Sequence, residues 1–289
     1  MIVVENRFSV FNALQAWYPD DPHEVEALLV RTPVVSAMQC DDQVADALER
    51  FTFRRRPFHT SLVDLTVDED TLWGRLEKKT CRYQINKARK LSPEALLNQQ
   101  LDDARRLITD FIGRHRFRAP LGDQEWERII ACCDVFIAKH DGKPMVAHVI
   151  LPDVPFRVRA LMSATADRAD SAERGVVGAL NRWLHWHEFC HYRSQGVACY
   201  DLGGIVHDES LPEHSITQFK SLFGGRNVTH QVVHLARNPL LRTALRAASA
   251  NRSRSQAAPA PTVSAPSAPS APSAPSATGL ASAEPAHAL

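Results

Sequence analysis

Between Phe156 and Leu202 the sequence commits itself to a parallel crossover. Phe156 to Ser163 alternates as a strand does, Ala164 to Arg174 is a loop, and Val176 to Arg193 repeats with helical period. Val197 to Leu202 is again short and strand-like. A strand, a helix and a second strand in that order join parallel neighbours, since antiparallel ones need only a tight turn. Just upstream, Val135 to His140 and Met145 to Leu151 flank Asp141-Gly142-Lys143-Pro144, the signature of a hairpin. The predicted fold is therefore α/β (α+β), with a mixed, mostly antiparallel sheet flanked by helices.

The rest of the chain fits around this passage. Residues 1–57 form a mixed α/β lead-in without a chemical motif; Met1 to Val4 suits an edge strand, and Phe11 to Trp17 reads as a helix. His59 to Leu65 alternates as a strand, Thr66 to Asp70 supplies N-cap and first-turn acids, and Leu72, Trp73 and Leu76 follow at helical spacing. Lys78 to Lys90 is basic and helical in period, with Arg82, Asn86 and Arg89 on one face. Leu101 to Arg116 is an amphipathic helix, and Val228 to Leu235 a final strand before a last helix, Pro239 to Ala248. Beyond it the chain turns to Ala, Pro and Ser, a composition that cannot offset chain entropy by burial, and a disordered tail is expected over 249–289. The main domain is expected over 58–248.

Charge and cysteine content narrow the function classes. With 34 basic and 33 acidic residues, the net charge of +1 gives no broad field for nucleic acid or an anionic membrane. Six cysteines at irregular spacing, two of them adjacent at Cys132-Cys133, do not suit a disulfide framework and point to a reducing, cytoplasmic setting. No stretch approaches the ~20 apolar residues of a membrane helix, and the first residues show no signal peptide.

Three motifs carry chemistry. Tyr200-Asp201-Leu202-Gly203-Gly204 ends a strand in paired glycines, and Phe219-Lys220-Ser221-Leu222-Phe223-Gly224-Gly225 echoes it. Such turns let backbone N–H groups approach a ligand, and Lys220 beside them suits an anionic or carbonyl-bearing partner. Gly175, Gly178 and Ala179 stand where the crossover helix opens, and small residues there suit a phosphate at a helix start. His187-Glu188-Phe189-Cys190-His191 fits H-E-x-x-H, which in zinc hydrolases places two ligands and a base on one helical face. No third ligand follows at the extended spacing, since Ser194 occupies the position of the expected glycine. The competing reading is a plain crossover helix with Val176, Leu180, Trp183 and His187 along its core stripe. No metal is expected.

Taken together and in this order, these stretches resemble the FemAB-like branch of the GNAT acyltransferase superfamily. The resemblance runs from about Phe58 to Leu235. It is carried by Val63-Asp64-Leu65, Arg82 to Ala88, Asp141 to Pro144, Gly178 to Trp186 and the two Gly-Gly segments. It implies transfer of an acyl or aminoacyl group to an amine, with acyl-CoA or charged tRNA as co-substrate and no tightly bound cofactor. The acceptor implied is an amine on a cell-wall or polysaccharide precursor. The superfamily's pyrophosphate loop reads [Gln/Arg]-x-x-Gly-x-[Gly/Ala]. Here Gly175 replaces the leading polar residue and Arg174 stands one position before it, which leaves an aminoacyl-tRNA donor open. On this resemblance, Arg174, Gly175, Gly178 and Ala179 are candidates to hold the donor, and Arg82, Tyr200 and Lys220 to bind substrate. Asp201 and His185 are the candidate bases. Residues 1–57 would then be a reduced lobe. The alternatives are a zinc hydrolase built on His187, Glu188 and His191, and a binding module that has kept the fold without the chemistry.

Overall fold

A computed structural model describes residues 1–8, 11–115, 120–167, 171–211 and 214–257. The lead-in forms strands β1 (Ile2–Phe8) and β2 (Phe11–Trp17), helix α1 (Pro22–Arg31), strand β3 (Val34–Cys40) and helix α2 (Asp42–Ala47). Phe11–Trp17 is thus a strand, not the helix its sequence suggests. Its seven residues are too few for a stable helix, and it pairs with β1 on one side and β3 on the other. Strand β4 (Thr52–Asp64) and helix α3 (Glu69–Arg75) follow. The basic run divides into a π-helical turn, Lys78–Arg82, and helix α4 (Tyr83–Arg89). The Glu77 carboxylate caps that turn by accepting from the N–H groups of Lys79, at 2.8 Å, and Thr80, at 2.5 Å.

The chain continues through strand β5 (Glu94–Leu97), helices α5 (Leu101–His115) and α6 (Asp123–Cys132), and strands β6 (Asp134–His140), β7 (Lys143–Asp153) and β8 (Arg157–Thr165). Helix α7 (Ser171–Ser194) crosses to strand β9 (Cys199–Gly204), and α8 (His214–Ser221), β10 (Arg226–Ala236) and α9 (Pro239–Ala257) complete it. Contacts divide the chain into one unit, Met1–Ser249, and a second, Ala250–Leu289. The helix predicted to stop at Ala248 runs on to Ala257, where Ala, Arg and Gln remain good helix formers. From residue 258 the expected disordered tail lies outside the described residues.

All the strands join one sheet in the order β1-β2-β3-β10-β4-β9-β8-β7-β6-β5. Among the described residues only β2/β3 and β8/β9 are parallel, so the sheet is the mixed, mostly antiparallel one expected. Strand β7 shows how the layers form. Val146 and Ile150 join the core shared with α3, α4 and α7, while Ala147, Val149 and Leu151 join the core under α5 and α6. Period-2 alternation in a doubly covered strand sends successive side chains to opposite layers.

Candidate functional site

Strands β8 and β9 pair only where Arg157 to Arg159 meets Cys199 to Asp201. Beyond that, β8 runs on to Thr165 and β9 to Gly204 without a shared ladder, so the sheet parts at this point. Gly203 stands at the parting with φ +83°, a left-handed value that suits glycine. A Cβ there would meet the Ala160 carbonyl at 3.0 Å, Lys220 Nζ at 3.5 Å and Arg159 Nη2 at 3.9 Å. An ammonium and a guanidinium therefore converge on a backbone turn that carries no side chain.

Each cation is held by its own element. Lys220 projects from α8; Phe219 of that helix and Phe223 just past its end pack against the His185 ring at 5.9 and 5.1 Å. Its Nζ donates to the Gly204 carbonyl at 2.6 Å. Burial, reinforced by the Arg159 charge, lowers the Lys220 ammonium to about 8. Arg159 projects from β8 between the Trp17 and Phe58 rings, at 5.2 and 4.9 Å. Its Nη1 donates to Asp201 Oδ2 at 2.8 Å and to Gln39 Oε1 at 2.6 Å.

Asp201, a candidate base, lies wholly inside this network. Gln39 Nε2 donates to its Oδ2 at 2.8 Å, the Gly203 N–H donates to its Oδ1 at 2.7 Å, and the Thr60 hydroxyl donates to Oδ1 as well. Burial alone would raise this carboxyl, but Arg159 and these donors hold it below the ordinary value. A carboxylate so engaged is a poor proton acceptor; its geometry is that of a brace for Arg159 and the Gly203 turn.

His185 and Tyr200 belong to a second buried network beneath α7. Tyr200 donates to Glu188 Oε2 at 2.5 Å, and His148 Nδ1 lies 2.6 Å from Glu188 Oε1. His148 Nε2 contacts Asn181 Oδ1 at 2.8 Å, and His185 Nδ1 is 3.2 Å from Glu188 Oε2. Burial and the neighbouring His148 lower His185 to about 4, so its imidazole stays neutral. Glu188, which burial would raise, is held at about 2 by His148 and His185. Tyr200, fully buried, and His185, covered by Phe219 and Phe223, hold α7 and β9 together.

Nor do the H-E-x-x-H residues converge. Glu188 turns into the sheet, while His187 and His191 lie against Phe136 and His191 Nε2 contacts Gln195 Nε2 at 2.9 Å. Among the described residues, the group with metal-ligand spacing is His148, His185 and Glu188. All of these are buried, with no ligand position open to a substrate as hydrolysis at a metal requires.

The expected donor-binding residues sit deeper in α7 than the sequence suggests. The helix starts at Ser171 rather than Val176, so the N–H groups free of intrahelical bonds belong to its first turn. Gly175, Gly178 and Ala179 lie beyond that turn, and Ala179 is buried in the core. What lies near them is cationic. Lys87 Nζ of α4 stands 3.4 Å from where a Gly175 Cβ would be, and Arg182 Nη1 donates to the Gly178 carbonyl at 2.9 Å. Arg182 and Arg82 both act on the Cys81 thiol between them, and the Nε of each is buried without a hydrogen bond. Arg174 is exposed on the same end of α7. Arg159, Gln39 and His148 were not singled out from the sequence. Arg157 and Arg159 alternating along an apolar strand was a usable signal for the first; the other two carry none.

No protein-family model matches the chain, and no curated protein matches it. Among solved structures, it is similar to FemX at 9% identity and TM-score 0.63, over 84% of this chain and 86% of that one. It is also similar to the C-terminal DUF2156 domain of a protein assigned as a lysylphosphatidylglycerol synthetase from Agrobacterium fabrum. That match has 17% identity and TM-score 0.56, over 86% of this chain and 84% of that one. L-PGS from Bacillus licheniformis matches at 12% identity and TM-score 0.54, over 85% and 84%. At such identities the likeness is one of fold.

Proposed function

We propose that this chain transfers an acyl or aminoacyl group from acyl-CoA or charged tRNA to an amine, on an acceptor such as a cell-envelope or polysaccharide precursor. The observation that carries this reading is the convergence of Lys220 Nζ and Arg159 Nη2 on Gly203 where β8 and β9 part. When an amine attacks a thioester or ester carbonyl, negative charge develops on the carbonyl oxygen, and a fixed cationic donor lowers that barrier. Lys220 fills that role, and the lone pair comes from an amine that arrives neutral; as the adduct collapses the C–S bond to CoA or the C–O bond to tRNA breaks, and the proton lost from nitrogen leaves on the departing thiol or hydroxyl. With Asp201 and His185 both engaged in buried networks, the rate rests on positioning and charge rather than on either as a base. The name of the lysylphosphatidylglycerol synthetase fits a donor of the aminoacyl kind, and the cations Arg82 of the π-helical turn, Lys87 of α4 and Arg182 of α7 suit the phosphates of either donor.

The test supplies radiolabelled acetyl-CoA, longer acyl-CoAs and total aminoacylated tRNA, each with a panel of amino sugars and amine-bearing cell-wall precursors. Lys220→Ala is expected to lower transfer about 100-fold, the usual loss of one oxyanion donor. Because Lys220 titrates near 8, the rate is expected to fall as pH rises through about 8, where the ammonium loses its proton. Lys220→Arg, which stays charged, should move that alkaline limb upward. Transfer that is unaffected by Lys220→Ala would sink the assignment.

A further inference from the structure

A separate set of polar atoms lies on the sheet face turned away from α7. Tyr200 and Val158 point into the α7 core, so their neighbours Arg157, Arg159, Cys199 and Asp201 share the opposite face. Arg159 is only 7% exposed, and its Nη1 is taken by Asp201 and Gln39. What remains is the edge formed by Nε and Nη2, the side of a guanidinium that takes two oxygens of one carboxylate or phosphate side by side. Nε is buried without a hydrogen bond, and Nη2 makes none among the described residues.

Three more atoms are buried and unbonded in the same region: the Tyr18 hydroxyl, Arg157 Nη1 and His230 Nε2. Arg157 lies over the Tyr18 ring at 4.4 Å and forms no ion pair among the described residues. Asp201, Arg159 and Arg157 all act on the Tyr18 hydroxyl, with the Arg159 guanidinium close enough to share a hydrogen with it, and His230 stands opposite Phe58, whose ring lies against Arg159. Buried polar atoms are bonded in roughly nine cases of ten, so four orphans bordering one region point to a missing acceptor. Among the described residues, Asp201 is the carboxylate paired with Arg159, and Arg157 and the nearby Lys220 add two further cations, which leaves the region positive. The backbone is committed to the same place. Tyr18 and Gln39 hold left-handed φ values of 56° and 54°, uncommon without glycine, and the Tyr18 N–H donates to the Met38 carbonyl at 2.9 Å.

We infer that Tyr18, Arg157, Arg159 and His230 form a binding site for an anionic oxygen group, a carboxylate or a phosphate, carried by the acceptor. The acceptor role rests on the transferase reading; the anion site itself does not. Arg159 links the two, since the Nε–Nη2 edge offered to the anion has its Nη2 beside Gly203 at the gap. The acceptor class is therefore an amine that carries a carboxylate or phosphate close to the reacting nitrogen.

The test is titration of the full chain, labelled with ¹⁵N-arginine, with inorganic phosphate and separately with acetate, following the Arg157 and Arg159 Nε–H signals. A saturable shift is expected with at least one of them. Phosphate alone assigns a phosphate-bearing acceptor, acetate alone a carboxylate-bearing one, and both a site for either. Arg157→Gln is expected to weaken the shift about tenfold, as for one lost charge-assisted hydrogen bond. Tyr18→Phe, which removes a single hydroxyl, should weaken it several-fold and serves if the arginine variant does not fold. No saturable shift, or one unchanged in both variants, overturns the site. The readout needs no turnover. Saturable binding without any transfer would overturn the transferase reading alone, and transfer without anion binding would overturn this site alone.

Discussion

Asp201 shows at the scale of one residue how a catalytic look and a structural role coincide. Its position before a Gly-Gly turn, beside Lys220 in space, is what a base would need. Its Oδ2 nevertheless accepts from Arg159 at 2.8 Å and Gln39 at 2.8 Å, with Gly203 and Thr60 on Oδ1. Removing its charge leaves a buried guanidinium uncompensated, so Asp201→Asn is expected to cost about 3 kcal/mol in urea unfolding. The pH dependence follows from the direction of its shift. The folded carboxyl lies below its ordinary 3.8, so its contribution is present above that value and lost as pH falls through the lower, folded one. Acid unfolding of the wild type below about pH 4 should therefore be blunted in Asp201→Asn, and an identical acid limb in both would count against the brace. The turn and its lysine were legible in the sequence because glycine pairs and an adjacent cation are local signals. The partners were not, because Gln39, Thr60 and Arg159 come from three other strands.

Single elements reveal the same division. The crossover helix was legible from its period, but its first turn was not. The loop ahead of it carries Ala, Asp and Ser, which serve a helix start as readily as a loop, and α7 begins at Ser171. Helix α8 is set by its exit as much as by its sequence. Gly224 holds φ +70°, and a Cβ there would collide with the Arg75 carbonyl. That contact seats Phe223 under His185 and so aims Lys220 at the gap. Gly224→Ala is expected to lose about 3 kcal/mol of stability and to lower transfer as Lys220→Ala does. Differential scanning calorimetry beside the transfer assay checks both, and a variant with unchanged activity would show that α8 is aimed by other contacts.

Across the whole molecule, the lead-in is built into the sheet. Strand β10 pairs with β3 on one side and β4 on the other, and its Val233 and Leu235 are buried with α1 and α2 residues. Gln39 of β3 also reaches into the Asp201 network. A fragment that begins at Glu49 is therefore expected to aggregate, since it bares the paired edge of β10 and its apolar side chains. Residues 1–249 should unfold in a single transition. Light scattering and near-ultraviolet circular dichroism decide this, and a soluble, native-like fragment would make residues 1–48 dispensable. The composition and the hairpin pattern made the sheet class legible. Its strand order was not, because the pairing of β3 with β10 spans most of the sequence.

That long-range pairing has a consequence for how the protein is made. Strands β3 and β4 emerge early from the ribosome, and β10, which lies between them, emerges among the last. Until residue 236 is free, the growing chain holds two open strand edges with nothing to close them. Nascent chains are thus exposed to wrong partners until β10 emerges, and that strand acts as the closing step of the sheet.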